Sequence, residues 1–95
     1  MIIGVPKEIK SDESRVGLTP AGASALINSG HTVNIEKAAG FLSGFNDNDY
    51  SSIGCEIIAN ANELFSTSEM IIKVKEPVEE EYKLIKPNHL IFTFF

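Results

Sequence analysis

Five short apolar runs, spread along 95 residues, constrain this chain more than any other feature. They occupy residues 2–5, 31–36, 55–58, 70–74 and 90–95, and each is too short for an ordinary helix. The segments between them carry helix start and stop signals. Parallel strands can be joined only through a crossover, so strands that alternate with helices fold as βαβ units. The pattern predicts an α/β chain with an open, doubly wound, mainly parallel five-stranded sheet and helices on both faces. A chain this long buries one core-bearing domain, not two.

The local signals agree with that plan. Pro6 closes the first strand where no ladder donor is lost. Thr19-Pro20 reads as a cap and first turn, Ala21, Ala25 and Leu26 as an apolar stripe, and Gly30 as a left-handed stop. Asp47 is expected to cap a short helix that Gly54 ends, and Asn60 to cap another. Residues 70–74 are almost wholly apolar, the mark of an interior strand. After Glu76-Pro77, the residues Val78, Tyr82 and Ile85 recur at helical spacing, with Glu79 and Lys83 one turn apart on the opposite face. The run Glu79-Glu80-Glu81 reads as a solvated surface. The chain stops inside an apolar run with no polar tail, which predicts truncation at the carboxyl end.

Composition removes several functions. Net charge is −5 and the basic residues are scattered, so nucleic acid is not an expected partner. No stretch approaches the roughly 20 apolar residues that cross a bilayer, and residues 1–5 do not resemble a signal peptide. The single cysteine, Cys55, has no internal partner, which fits a reducing compartment. It opens an apolar run, so a buried thiol is a better reading than a nucleophile. His31 and His89 are far apart and no CxxC is present, so no metal site is expected. Gly40 and Gly44 are turn glycines. No G-x-G-x-x-G joins a strand to a helix, so no cofactor-binding residues are expected in the chain.

In a doubly wound sheet, ligands meet the carboxyl ends of the strands. Two polar segments belong there. The connection spanning residues 7–18 is long for its class and holds Arg15, the only arginine. A guanidinium there can grip a small carboxylate through two parallel hydrogen bonds. Solvation is the commoner fate of a lone loop arginine, and for Lys7 and Lys10 it is the better reading. The second segment is Lys73-Val-Lys75. Lysines two apart on a strand share one face and are costly there unless they meet water, an acid or an anion. Lys73 is expected to reach solvent or a nearby carboxylate, and Lys75, at the turn, a ligand.

Ile3-Gly-Val-Pro-Lys-Glu8, with Glu13-x-Arg15-Val-Gly-Leu-Thr-Pro20, resembles the amino terminus of bacterial L-alanine dehydrogenases. So do Gly30-His-x-Val33, Ser43-Gly-Phe-x-Asp47 with Tyr50, and Lys73-Val-Lys-Glu-Pro77, in order through the whole chain. Nicotinamide nucleotide transhydrogenase α subunits share the domain but typically lack the second lysine of Lys-Val-Lys-Glu-Pro. Saccharopine-type dehydrogenases are more distant.

The resemblance implies a flavodoxin- or Rossmann-like fold and an incomplete substrate-binding domain over residues 1–95. It implies an enzyme that interconverts L-alanine and pyruvate plus ammonia with NAD. Arg15 would clamp the substrate carboxylate and Lys75 would polarise its keto oxygen. The family's catalytic histidine and aspartate and its NAD-binding domain lie downstream. The chain alone is therefore expected to be inactive and to bind no NAD. A cytoplasmic homo-oligomer is implied for the full-length enzyme. The alternative is a non-catalytic module of a transhydrogenase.

Overall fold

β1 (Ile2–Val5) is the middle strand of the sheet. The computed structural model describes residues 1–9, 15–75 and 77–93. Beyond β1 come α1 (Pro20–Asn28), β2 (Thr32–Glu36), α2 (Asp47–Ser51), β3 (Glu56–Ile58), α3 (Ala61–Thr67), β4 (Met70–Lys73), α4 (Glu79–Tyr82) and β5 (Leu90–Thr93). The strand order is β3-β2-β1-β4-β5, and every pairing is parallel. The chain winds outward from β1 on one side and then crosses to the other, so β1 and β4 flank the point where the winding reverses.

The alternation of strand residues builds two cores. Ile3, Val5, Val33, Ile35 and Ile72 pack with Ala23 of α1 and Tyr50 of α2. Ile58 and Ile71 pack with Leu64 and Phe65 of α3 on the other face, where Leu84 and Ile85 add cover. Burying an aliphatic side chain of this size contributes about 1.5–3 kcal/mol each, which makes these two layers the main source of stability.

The caps follow the sequence with instructive exceptions. Thr19 Oγ1 accepts the Gly22 N–H at 3.2 Å, and Asn60 Oδ1 accepts the Glu63 N–H at 2.9 Å. Gly30 is left-handed, with φ 96°. On α1 the buried residue is Ala23, with Leu26 and Ile27 beside it, whereas Ala21 and Ala25 are exposed. The expected stripe was rotated by about one residue. Asn46, not Asp47, caps α2: Asn46 and Asp49 exchange hydrogen bonds at 3.0 and 2.9 Å. Asp47 instead accepts the Ala38 N–H at 2.8 Å, and Ala38 has φ 65°.

The largest correction concerns residues 78–85. α4 is a single turn, and its Tyr82 is 62% exposed. Glu81 of the supposed solvated run is 1% exposed, while Glu79 and Glu80 do face water. An ionic partner, described below, outweighs the apolar periodicity there. On β5 the side chains of Leu90, Ile91 and Phe92 are exposed; Phe94 and Phe95, read as part of the same strand, lie outside the described residues.

Candidate functional site

The carboxyl ends of β1 and β4 lie side by side, because Ile3 pairs with Met70 and Gly4 with Ile71. The two segments singled out from the sequence therefore meet at the crevice of the sheet. A cavity of about 460 Å³ opens there. Arg15, Gly17 and Thr19 of the β1–α1 connection, Ser43 and Phe45 of the β2–α2 connection, and Val74 beyond β4 line it. Arg15 is exposed at its rim. Lys75 follows Val74 directly and is half-buried, but it is not among the residues lining the cavity. Lys10 and Glu13 fall outside the described residues, and Lys7 is exposed as expected.

Gly17 sets how closely the Arg15 segment approaches β4. A Cβ at this position would lie 2.7 Å from the Ile72 carbonyl oxygen. Backbone cannot yield as a side-chain tip can, so the segment must lift away. Gly17→Ala is expected to cost about 1–3 kcal/mol and to withdraw Arg15 from the cavity. Chemical denaturation of the variant measures the first effect. The second side of the cavity is held by Tyr50, fully buried, whose hydroxyl donates to the Leu18 carbonyl at 2.7 Å. Burial, aided by Cys55 and Asp49, pushes the phenol up to about 12, so it stays a neutral donor. Cys55 itself is buried and its thiol is likewise pushed up by burial, which suits a packing residue rather than a nucleophile.

Lys73 is 1% exposed, so the expectation that it reaches water fails and its carboxylate alternative holds. It faces the α3 side of the sheet, like Ile71, and its Nζ lies 3.2 Å from both Glu8 Oε1 and Glu81 Oε2. Glu81 Oε1 accepts the Val78 N–H at 3.0 Å. Glu8 also accepts the Val74 N–H through Oε2 at 3.0 Å and the Lys75 N–H through Oε1 at 3.3 Å. Glu8 stands in the motif Val5-Pro-Lys-Glu8 but drew no role from sequence. Its one signal was position, three residues past a strand on the ligand-bearing edge.

Glu36, at the end of β2, belongs to the same neighbourhood. Its Oε1 accepts the Lys7 N–H at 2.9 Å. Burial raises its pKa above the usual 4.5; the Lys7 contacts and Lys73 oppose this, and Glu81 adds to it. A carboxyl with a raised folded value binds its proton more tightly when folded, so stability falls as pH rises through the window just above 4.5. Glu36→Gln keeps an acceptor for Lys7 and removes that decline. Its urea midpoint is expected to gain on wild type between acidic and neutral pH, and parallel profiles would refute this.

His89 accepts the Lys86 N–H at Nδ1 (2.9 Å), leaving Nε2 to donate to the Phe65 carbonyl (2.9 Å). It is a structural residue tying the β5 approach to α3. Among the described residues, no group of three His, Cys, Asp or Glu side chains is placed to hold a metal ion. The β1–α1 connection is not the tight strand-to-helix turn that receives a dinucleotide's pyrophosphate. β1 ends at Val5, α1 begins only at Pro20, and the Thr19 oxygen at its start is already engaged by Gly22.

The architecture defines a class first: a doubly wound α/β domain with a cation at the rim of its switch-point crevice. Its particular membership is equally plain. The chain belongs to the family described as "Alanine dehydrogenase/PNT, N-terminal domain", which matches residues 4–95. It is 53% identical over 94 residues to an alanine dehydrogenase of Methanococcus maripaludis and 51% identical to one of Bacillus subtilis. Each match covers 99% of this chain and 25% of the relative, so the chain spans about a quarter of their length. A solved L-alanine dehydrogenase superposes with a TM-score of 0.94 at 47% identity, over 98% of this chain and 26% of that one. A Sinorhizobium meliloti transhydrogenase shares the fold, with a TM-score of 0.92 at 24% identity, over 100% of this chain and 27% of that one.

Proposed function

We propose that residues 1–95 are the substrate-binding part of an NAD-dependent alanine dehydrogenase, holding pyruvate or L-alanine. One observation carries the reading: Arg15 stands at the rim of a small cavity between the adjoining ends of β1 and β4. There the guanidinium takes the substrate carboxylate in a two-bonded fork. Lys75, at the next turn, donates to the keto oxygen and stabilises the charge that builds on it when ammonia attacks. Val74 and Phe45 give the methyl group an apolar wall. No group described here carries hydride, so oxidation and reduction belong to chain outside these residues, as does the NAD site. The full-length enzyme is read as a cytoplasmic homo-oligomer. Among the described residues no helix is long and apolar enough to cross a membrane.

The transhydrogenase alternative shares the family model and the fold, but Lys75 and the 53% and 51% identity to alanine dehydrogenases speak against it. The two separate in one assay of the full-length protein. NADH oxidation that requires both pyruvate and ammonium is the expected result. Hydride exchange between NADH and an NADP analogue, with no amination of pyruvate, would overturn the proposal.

A further inference from the structure

We propose that Glu8 is a positioning residue for the substrate site and acts through Lys75; the inference rests on the reading of the site just given. The side chain of Lys75 can present its charge reproducibly only if the backbone that carries it is fixed. β4 ends at Lys73, so Val74 and Lys75 have left the sheet ladder and their N–H groups need another acceptor. Glu8 supplies it. Its carboxylate crosses from the β1 side and takes both amides, Val74 on Oε2 at 3.0 Å and Lys75 on Oε1 at 3.3 Å. The Glu8 side chain is 4% exposed, so these bonds are made out of water.

Lys73 explains why a carboxylate can be held there. Its ammonium sits 3.2 Å from Glu8 Oε1, on the face of the sheet away from the cavity, and Glu81 balances it from α4 at 3.2 Å. Glu8 thus has one oxygen shared between the Lys73 ammonium and the Lys75 amide, and the other committed to Val74. Both oxygens serve only as acceptors. Glutamine offers a single acceptor, and its amide nitrogen must then face either a backbone N–H or the ammonium. Glu8→Gln is nearly isosteric, yet it cannot hold all three donors. Glu81 gives the internal comparison: it shares the Lys73 ion pair but makes no bond to Val74 or Lys75, its remaining bond being to the Val78 N–H.

The experiment is a double-mutant cycle in the full-length dehydrogenase, with pyruvate varied at saturating NADH and ammonium. Glu8→Gln is expected to lower kcat/KM for pyruvate by about 10–100-fold, whereas in a Lys75→Ala background the same change shifts it by less than about threefold. Glu81→Gln, matched to it by unfolding midpoint, is expected to shift pyruvate kcat/KM by less than about tenfold. Equal losses in Glu8→Gln and Glu81→Gln would overturn the proposal, because both would then report only a weakened ion cluster. So would additive effects of Glu8→Gln and Lys75→Ala. If Glu8→Gln is not recovered folded, Glu8→Asp, which keeps the charge but withdraws it by one methylene, goes through the same cycle. The two failures are separable. Impaired pyruvate use in Lys75→Ala with none in Glu8→Gln removes the role of Glu8 alone. Wild-type kinetics in both Arg15→Ala and Lys75→Ala removes the substrate site itself, and Glu8 with it.

Discussion

Replacing Arg15 with alanine in the full-length protein is expected to lower kcat/KM for pyruvate by roughly 100-fold or more. A hydrogen bond to a charged group contributes about 1.5–3 kcal/mol, and a guanidinium fork supplies two of them to one carboxylate. Each 1.4 kcal/mol or so is a factor of ten, so the loss of both bonds sets the scale. Arg15 itself is exposed at the cavity rim, although its neighbours Val16 and Leu18 pack against the core, so the fold should survive the change. Arg15→Lys keeps the charge but not the fork, and is expected to recover only part of the loss. Initial-rate kinetics on the two variants decide the point: wild-type values in the alanine variant would remove Arg15 from the site.

Lys73→Met is expected to be the most destabilising single change in the chain, at about 3–5 kcal/mol. The replacement fits the space but leaves Glu8 and Glu81 facing each other without the cation between them. An uncompensated buried charge costs more than the ion pair contributed, because the desolvation remains when the attraction is gone. A second substitution, Glu81→Gln, made in the Lys73→Met background, should therefore restore stability rather than lower it further. Denaturant unfolding of wild type, the single variants and the double variant measures this. A loss below about 1 kcal/mol, the value of a surface pair, would show that the cluster is hydrated.

The strands were legible because alternation of apolar runs with helix signals is a property of the chain itself. So was the edge on which Arg15 and Lys75 lie, since every parallel strand enters a doubly wound sheet in the same sense. That β1 and β4 are neighbours was not legible. Strand order is decided by which crossover turns back, and nothing in residues 59–69 announces that. The ion cluster was hidden for the same reason. Lys73 had an expected partner type, but Glu8 lies 65 positions away in the chain and only the strand order brings it close. At α4 periodicity misplaced Tyr82 and Glu81, although Ile85 does pack inward and Glu79 and Lys83 do face water. Val78, Tyr82 and Ile85 have helical spacing, yet a single turn is too short for periodicity to govern, and the pull of Lys73 on Glu81 decides which side faces inward. Arg15 and Lys75 were singled out by position and charge; Glu8 and Gly17 make their contacts to backbone, where side-chain chemistry gives little notice.

The central place of β1 has a consequence for the order in which the molecule is made. β1 can pair with β2 once about 35 residues are available, but its other edge waits for β4, and Glu8 meets the Val74 amide only across 66 positions. Closing so distant a contact carries more chain entropy than any neighbouring pairing and belongs late in folding. During synthesis, the first half of the domain can therefore collapse on α1 while one edge of its middle strand stands open, with the β4 side of the crevice still to come. The crevice is complete only once the fourth strand has docked. A chain halted between α3 and β4 would hold β1, β2 and β3 with their helices but lack Val74 and the β4 edge that complete the crevice.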